Sequence, residues 1–533
     1  MLVYFVIAPI LIGILLYFFY FAKATRIISI VVQLGICLAA CYLFFVSREN
    51  SVINSIGNYE SVLGITLIAD SLAATFILLT AFIFLIAVIY SFNECNSRLF
   101  WFFLFLWEGL LLGVFLTRDF FNVFVLVEVA TVVVAVLIMY KRDNRSMYDG
   151  IIYLMVNIVV MQFYLFGIGY IYKITGVLDM DAAMQKMAVL DGSQFFLPYA
   201  LIMTFIALKC ALLPLFSWLP RAHGTPGAPS AVSAILSGLH IKSGIYLFLR
   251  FQEVFQEIAV TEFFLVIGIV TAIAGIVLSL AQTDIKLMLA YSTVAQIGLI
   301  MTGLNIYECY YSYTGSLYHI INHAITKSAL FLSAGIIKDM YGTRDISKIR
   351  GVLRRNPLAG IATIMAALGI IGTPFFGGSI SKYFMMANVD WLLASVMIVI
   401  NLGTMLIFIK YSQMLFGHPE PVCEAIEPEK CRQVSTFILG IFCFVLGILG
   451  EPAIGFLFDM PVSVSVAGYI EKVIIFSVSL TAGYFIYKFL LKNNDTLMTR
   501  IRKFDLGFRG ICVCMGVFFA IVLVAVSGVF HLF

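Results

Sequence analysis

Residues 317–335 read LYHIINHAITKSALFLSAG, a segment long and apolar enough to cross a bilayer that nevertheless carries His319, His323 and Lys327. Roughly twenty apolar residues span a hydrocarbon core. The three ionisable residues fall at i, i+4 and i+8, which places them on one stripe of a helix. An ionisable side chain in such a segment is expected to face a protein interior or a wet cavity and to mark an ion route. A stripe of groups that can each gain and lose a proton suits proton hopping.

Comparable apolar runs recur from Leu2–Ala22 to Gly510–Phe530, in a chain of 533 residues that is 62% hydrophobic and 12% charged. Its mean hydropathy of +1.05 lies outside the range of water-soluble domains. Hydropathy predicts spans over 2–22, 27–46, 69–91, 98–116, 120–140, 151–172, 196–216 and 229–250. A second set follows at 261–281, 285–304, 313–337, 357–386, 391–415, 433–450, 470–491 and 510–530. The expectation is thus an all-α polytopic membrane protein of about sixteen transmembrane helices. The first run has no basic residues before it and no small-residue cleavage site after it, so it reads as a retained helix. The ten cysteines lack metal-type spacing, and Cys37, Cys41, Cys210 and Cys443 lie inside apolar runs, so no metal site or disulfide framework is expected.

An even number of spans puts both termini on one side. Most of the 33 Lys and Arg fall in loops on the other side, including the runs Lys338–Arg355 and Lys488–Arg509. The terminal side holds Arg48, Arg118, Lys173, Lys186, Arg250 and Lys472, with Arg250 expected to snorkel from a helix end. Basic loops mark the cytoplasm, so both termini are expected outside it, in a chain of the cell membrane. The charged segment Asn493–Arg509 is either an amphipathic surface helix or an ordinary basic loop.

Four lysines remain deep within spans: Lys209, Lys242, Lys327 and Lys382. Glu128 lies mid-helix in VFVLVEVATVVVAV (123–136), and Lys209 in LIMTFIALKCALLPLF (201–216). Lys242 follows His240 in ILSGLHIKSGIYLFL (235–249). Histidine exchanges protons near neutrality, and a desolvated lysine can do so too. Making and breaking a Glu128–Lys209 pair would switch the proton affinity of that lysine. The competing expectation is that each charge is a structural partner or snorkels to an interface. Glu108, in WEGLLLG, is deep and has no evident partner.

Pro214 follows Lys209, and Pro374, Gly377 and Gly378 precede Lys382 in GTPFFGGSISKYF (372–384), so both helices are expected to break near the charge. Paired interrupted helices in two halves point to an inverted-repeat transporter with midplane sites.

Six stretches together resemble one family: GITLIADSLA with Asp70, TRDFFNVFVLVEV with Glu128, WLPRAHGTPGAPSAVSAILSGLHIKSGIYLFLR, DIKLMLAYSTVAQIG, INHAITKSALFLSAG and YGTRDISKIRG. The chain is similar, over roughly residues 60–415, to the antiporter-like subunits of respiratory complex I, of Mrp cation/proton antiporters and of membrane-bound nickel-iron hydrogenases. The resemblance implies a fourteen-helix core with two inverted five-helix repeats, at 98–250 and 261–415. These are flanked by N-terminal helices (1–97) and C-terminal helices (416–533). It also implies that Glu128 modulates Lys209, that Lys242 and His240 form a central bridge, and that His319, His323 and Lys327 continue the axis to Lys382 as terminal lysine. The Ser233–Lys242 spacing resembles the D-type Mrp and hydrogenase branches. His240, Glu108, the long GTPG turn and two extra helices depart from the family pattern.

The function expected is movement of protons or sodium across the lipid bilayer, as one subunit of a larger antiporter or a hydrogenase- or NADH dehydrogenase-like pump. Its partners are other membrane subunits rather than nucleic acid. No nucleotide loop, haem ligation or iron-sulfur spacing is present, so no cofactor is expected and redox chemistry would belong to partner subunits. A subunit of an inorganic carbon uptake system and a structural scaffold are the alternatives.

Overall fold

The computed structural model describes residues 1–58, 64–93, 97–307, 309–419, 429–492 and 495–528. Positions 493–494 of the charged segment and 529–530 of the last expected span lie outside them. The chain opens with α1 (Val3–Phe18), α2 (Ala22–Glu49), strands β1 (Val52–Ser55) and β2 (Thr66–Ala69), and α3 (Ser71–Tyr90). Next come α4 (Arg98–Leu116), α5 (Phe120–Ile138), α6 (Asn144–Thr175), α7 (Met180–Met187), α8 (Phe196–Lys209), α9 (Trp218–Gly224), α10 (Ser230–Ile235) and α11 (Ile241–Val254). A second group is α12 (Thr261–Ala281), α13 (Ile285–Leu304), α14 (Tyr310–Tyr341), α15 (Val352–Arg355), α16 (Pro357–Ile371), α17 (Gly377–Met386) and α18 (Trp391–Ser412). The chain ends with α19 (Lys430–Ile448), α20 (Gly450–Phe458), α21 (Val466–Ile486), α22 (Asp495–Arg502) and α23 (Phe508–Val526).

Among the described residues, 14 helices are long and apolar enough to cross a membrane. Two shorter apolar helices, α1 and α16, complete the expected sixteen spans. The fold is an all-α membrane bundle, with one addition the hydropathy pattern did not predict. The loop before α3 holds a two-stranded antiparallel sheet pairing Val52 with Ala69 and Ser55 with Thr66.

Acidic or amide side chains start many of the helices by accepting hydrogen bonds from free backbone N–H groups. Asp70 caps α3, Asp119 caps α5, Asp143 caps α6, Asp284 caps α13 and Asn356 caps α16. The same local construction occurs twice. Asp119, opening α5, bridges to Asp179 beyond α6, and Asp284, opening α13, bridges to Asp345 beyond α14. The series α4–α11 and α12–α18 each contain five spans, and in each the fourth is the one that breaks.

Helices α12 and α13 meet backbone to backbone, because a Cβ on Gly298 would lie 2.3 Å from the Ala272 nitrogen and one on Gly275 2.5 Å from the Ala295 nitrogen. Small residues at crossings are how helices pack in lipid, where water supplies no drive for association. The crossing window of α14 is buried throughout, whereas α2 and α21 turn broad apolar faces outward.

Arg250 does not snorkel. It is buried at the end of α11 and binds both carboxylate oxygens of Asp70 at 2.6 Å, while Arg118 reaches the same carboxylate at 2.8 Å. Removing the shared anion leaves the two buried guanidinium groups, among the described residues, only the more exposed Glu253, at 3.4 Å from Arg250 and 3.8 Å from Arg118. Asp70→Ala is therefore expected to cost about 3 kcal/mol, the low end for breaking a buried pair, because the Asp70 side chain keeps 24% of its exposure. A falling thermal midpoint in detergent, partly restored in Asp70→Glu, checks this.

Candidate functional site

Helix α8 ends at Lys209, and the chain then leaves helical geometry through Ala211, whose φ is 51°, and Pro214. The break frees backbone groups that must find partners inside the bundle. Trp218 Nε1 donates to the Leu208 carbonyl at 2.7 Å, and the Leu213 N–H donates to Thr271 Oγ1 at 3.0 Å. Lys209 thus sits at a helix C-terminus, where the carbonyl ends favour a cation. Its Nζ donates to Asn157 Oδ1 at 2.7 Å and to Thr131 Oγ1 at 3.0 Å. Glu128 lies three residues before Thr131 on α5, half-buried, with its Oε2 buried and unpartnered among the described residues. The structure brings Glu128 and Lys209 to one region but spends the lysine on neutral oxygens.

Asn157 Nδ2 donates to the Tyr153 carbonyl at 2.8 Å, and the Tyr153 hydroxyl lies 3.2 Å from His240 Nε2. On the other side of the imidazole, Trp107 Nε1 donates to His240 Nδ1 at 3.4 Å. An indole N–H can only donate, so Nδ1 is the acceptor and the neutral ring carries its proton on Nε2, facing Tyr153.

His240 closes a π-helical turn, Leu236–His240, between α10 and α11. Such turns often mark functional positions. Here the turn leaves the Ser237 carbonyl for Lys242 Nζ, which donates to it. Ser237 Oγ lies 2.8 Å from Thr293 Oγ1 on α13. The preceding residue, Ser292, accepts from Lys327 Nζ, which also donates to the Leu289 carbonyl at 3.0 Å.

One turn back along α14, both His323 ring nitrogens are buried without a hydrogen-bond partner among the described residues. His319 is held by Ser381 Oγ at 2.9 Å and Gln296 Oε1 at 3.0 Å. Ser381 precedes Lys382, whose Nζ donates to the Ile370 carbonyl and to Asn401 Oδ1, both at 2.7 Å. Ile370 belongs to the last turn of α16, just before the second break.

That break runs through Gly372 (φ 85°), Pro374 and Phe375 (φ 70°). Gly377 and Gly378, expected to lie in the break, are instead the first residues of α17. Their smallness serves packing: a Cβ on Gly378 would lie 2.0 Å from the Gly369 carbonyl oxygen, and one on Gly377 2.5 Å from Asn322 Oδ1. Gly378→Ala must push α17 from α16 and is expected to cost about 1–3 kcal/mol. A lower melting temperature in detergent together with weakened ion movement would show it.

The expected lysines and histidines therefore lie along a buried string in three linked stretches, Lys209 to His240, Lys242 to Lys327 and His319 to Lys382, with His323 between the last two on α14. The four lysines are each at most 6% exposed, and every hydrogen bond their amines make goes to a neutral oxygen. An amine so held can release its proton without breaking an ion pair.

Several members were missed from the sequence. Thr131, Asn157, Ser292, Gln296 and Asn401 solvate the string, and polar residues inside apolar spans were the signal. Glu108 does have a partner, since Gln33 Nε2 donates to its Oε1 at 2.5 Å. Lys472, counted with the terminal-side charges at the end of the 470–491 span, is a further buried lysine, on α21, as Lys286 is on α13. The charged segment is tied to the bundle by Arg502, which donates to the Ala281 carbonyl at 2.9 Å, and by Asp505, 2.5 Å from Arg221.

Residues 117–409 match the family described as NADH:quinone oxidoreductase/Mrp antiporter, transmembrane region. The chain is 29% identical over 468 residues to the D subunit of the Na+/H+ antiporter of Alkalihalophilus pseudofirmus, covering 84% of this chain and 94% of that protein. It is 31% identical over 421 residues to the N subunit of the NADH-quinone oxidoreductase of Desulforudis audaxviator, covering 73% and 83%. Its fold superposes on a chain of the Mrp complex from a Dietzia species with a TM-score of 0.80, at 21% identity, covering 90% of this chain and 99% of that one. A chain of the membrane-bound sulfane sulfur reductase, an archaeal respiratory membrane complex, gives 0.79 at 20% identity with the same coverage.

Proposed function

Because this chain belongs to the NADH:quinone oxidoreductase/Mrp antiporter transmembrane family, we propose that it is the ion-translocating membrane subunit of a multisubunit assembly and that protons travel along its buried string. The observation that carries this is the solvation of Lys209, Lys242, Lys327 and Lys382 by neutral oxygens alone. Amines and imidazoles bind protons, their protonated forms repel other cations, and the string offers no carboxylate to hold a sodium ion, so it suits H+ rather than Na+. A lysine at a helix centre costs roughly 2.5–3.5 kcal/mol, and four of them approach the whole stability of a folded domain, about 5–15 kcal/mol. Stability does not explain them.

In this reading, 98–250 and 261–415 are two half-channels, each opening at its broken helix, with Lys242 and Lys327 joining them. Glu128 acts as the switch. At about 4 Å and an effective dielectric near 20, a carboxylate stabilises an ammonium by about 4 kcal/mol, close to a thousandfold in proton affinity. The structure then corresponds to the open state of the pair, and approach of Glu128 would load Lys209. The basic loops orient both termini to the extracytoplasmic side of the cell membrane. The curated relatives carry subunit names from antiporters and NADH-quinone oxidoreductase, and the partners here are the membrane subunits of one such assembly.

Vesicles containing the complete assembly, driven by its electron donor or by a sodium gradient and read with pH- and sodium-sensitive dyes, test the proposal. A pH change is expected under the driving force that works. Sodium movement with no accompanying pH change would remove the proton from the reading.

A further inference from the structure

We propose that Lys472 on α21, beyond the family-matched residues 117–409, is a further proton-carrying residue that accepts the proton leaving Lys382 and releases it at the N-terminal end of α21. This rests on the proposed function above and extends the string by one station.

Helix α21 is otherwise a peripheral element. Val466, Ile470, Ile474 and Val478 form an exposed stripe at helical spacing, while Lys472 and Phe476 turn inward. A lysine so near a helix end could reach water by snorkelling, yet this one is only 9% exposed and its Nζ has no hydrogen-bond partner among the described residues. The amine lies 5.9 Å from the ring centroid of Tyr383, the residue after Lys382. Tyr383 follows Lys382 on α17, so this contact docks Lys472 against the helix that carries the last lysine of the string.

The surroundings continue the polar string outward. Tyr469, one turn into α21, takes a hydrogen bond from the Phe375 N–H in the second break at 3.2 Å. Its hydroxyl also lies 3.2 Å from Ser379 Oγ on α17. The Tyr383 hydroxyl meets Ser465 Oγ at 3.5 Å, in an exposed contact at the start of α21. The first two turns of α21 are thereby fixed against the broken helix, with one hydroxyl pair beside the break and a second at the exposed start of α21. The step balances as a proton transfer: the Lys382 ammonium becomes an amine, the Lys472 amine becomes an ammonium, and Lys472 then gives its proton to water while Lys382 is reloaded from the His319–Ser381 side.

Lys472→Met and Lys472→Arg in the whole assembly test it, with Lys209→Ala measured alongside. Methionine removes the amine. Arginine keeps the charge and the stack on Tyr383 but cannot deprotonate. Both are expected to slow dye-reported proton movement at least about tenfold. Normal flux in Lys472→Arg, whatever Lys472→Met does, makes Lys472 a structural cation and overturns the inference; if methionine prevents assembly, the arginine variant alone decides. Normal flux in Lys209→Ala as well would overturn the proposed function itself rather than this extension.

Discussion

Lys209→Ala is expected to reduce proton movement by the assembled complex at least about a hundredfold, with the assembled protein recovered in ordinary amount. The substitution removes the amine at the first break and with it the hydrogen bonds to Thr131 and Asn157. Those two acceptors can turn to each other or to water in the space vacated, and the Glu128 carboxylate that loses its neighbouring cation is only half-buried. Folding should therefore survive where transport does not. Glu128→Ala is expected to fail in the same way for a different reason, because Lys209 stays but its affinity can no longer be raised and lowered. Glu128→Gln distinguishes the two roles: it keeps shape and hydrogen bonding and should still block transport. Rapid flux in all three variants would show that the string is not the route.

Much of this arrangement is legible in the sequence because lipid makes hydropathy a direct record of geometry. Spans follow from apolar runs, and Lys209, Lys242, Lys327 and Lys382 stand out because a charge inside a run is expensive. The breaks are legible from Pro214 and Pro374, although the glycines after Pro374 belong to the helix beyond the second one. Gly377 and Gly378 are demanded by contact with Asn322 and Gly369 rather than by backbone conformation, and a close approach between helices leaves no trace in local sequence.

Other features are hidden for identifiable reasons. The π-helical turn at Leu236–His240 is a slip in hydrogen-bond register with no compositional marker. Arg250 reads as a snorkelling residue because its anion, Asp70, lies 180 residues away. Lys472 reads as a terminal-side charge because it lies beside Glu471 at the very start of the 470–491 span, where a lysine could reach water. Its inward direction becomes visible only once α21 is docked against Tyr383.

The strongest test of a single route is a double substitution. Lys327→Ala alone is expected to reduce flux about as far as Lys209→Ala, because Lys327 is the station next to the Ser237–Thr293 bridge that joins the halves. Residues acting independently would multiply their losses, whereas members of one chain of transfers do not, since a route already cut cannot be cut again. Lys209→Ala combined with Lys327→Ala should therefore move protons no more slowly than the worse single variant. Two losses of about a hundredfold each would otherwise give about ten thousandfold if they were additive in free energy. Full additivity would mean that the two halves carry protons by separate paths, each with its own entrance and exit, and that the contact between Ser237 and Thr293 only packs one half against the other. Because Lys327 Nζ makes its hydrogen bonds within α13 and Lys209 makes its own within α5 and α6, the variants share no partner. Any departure from additivity must then come from the proton they pass on rather than from a common structural collapse.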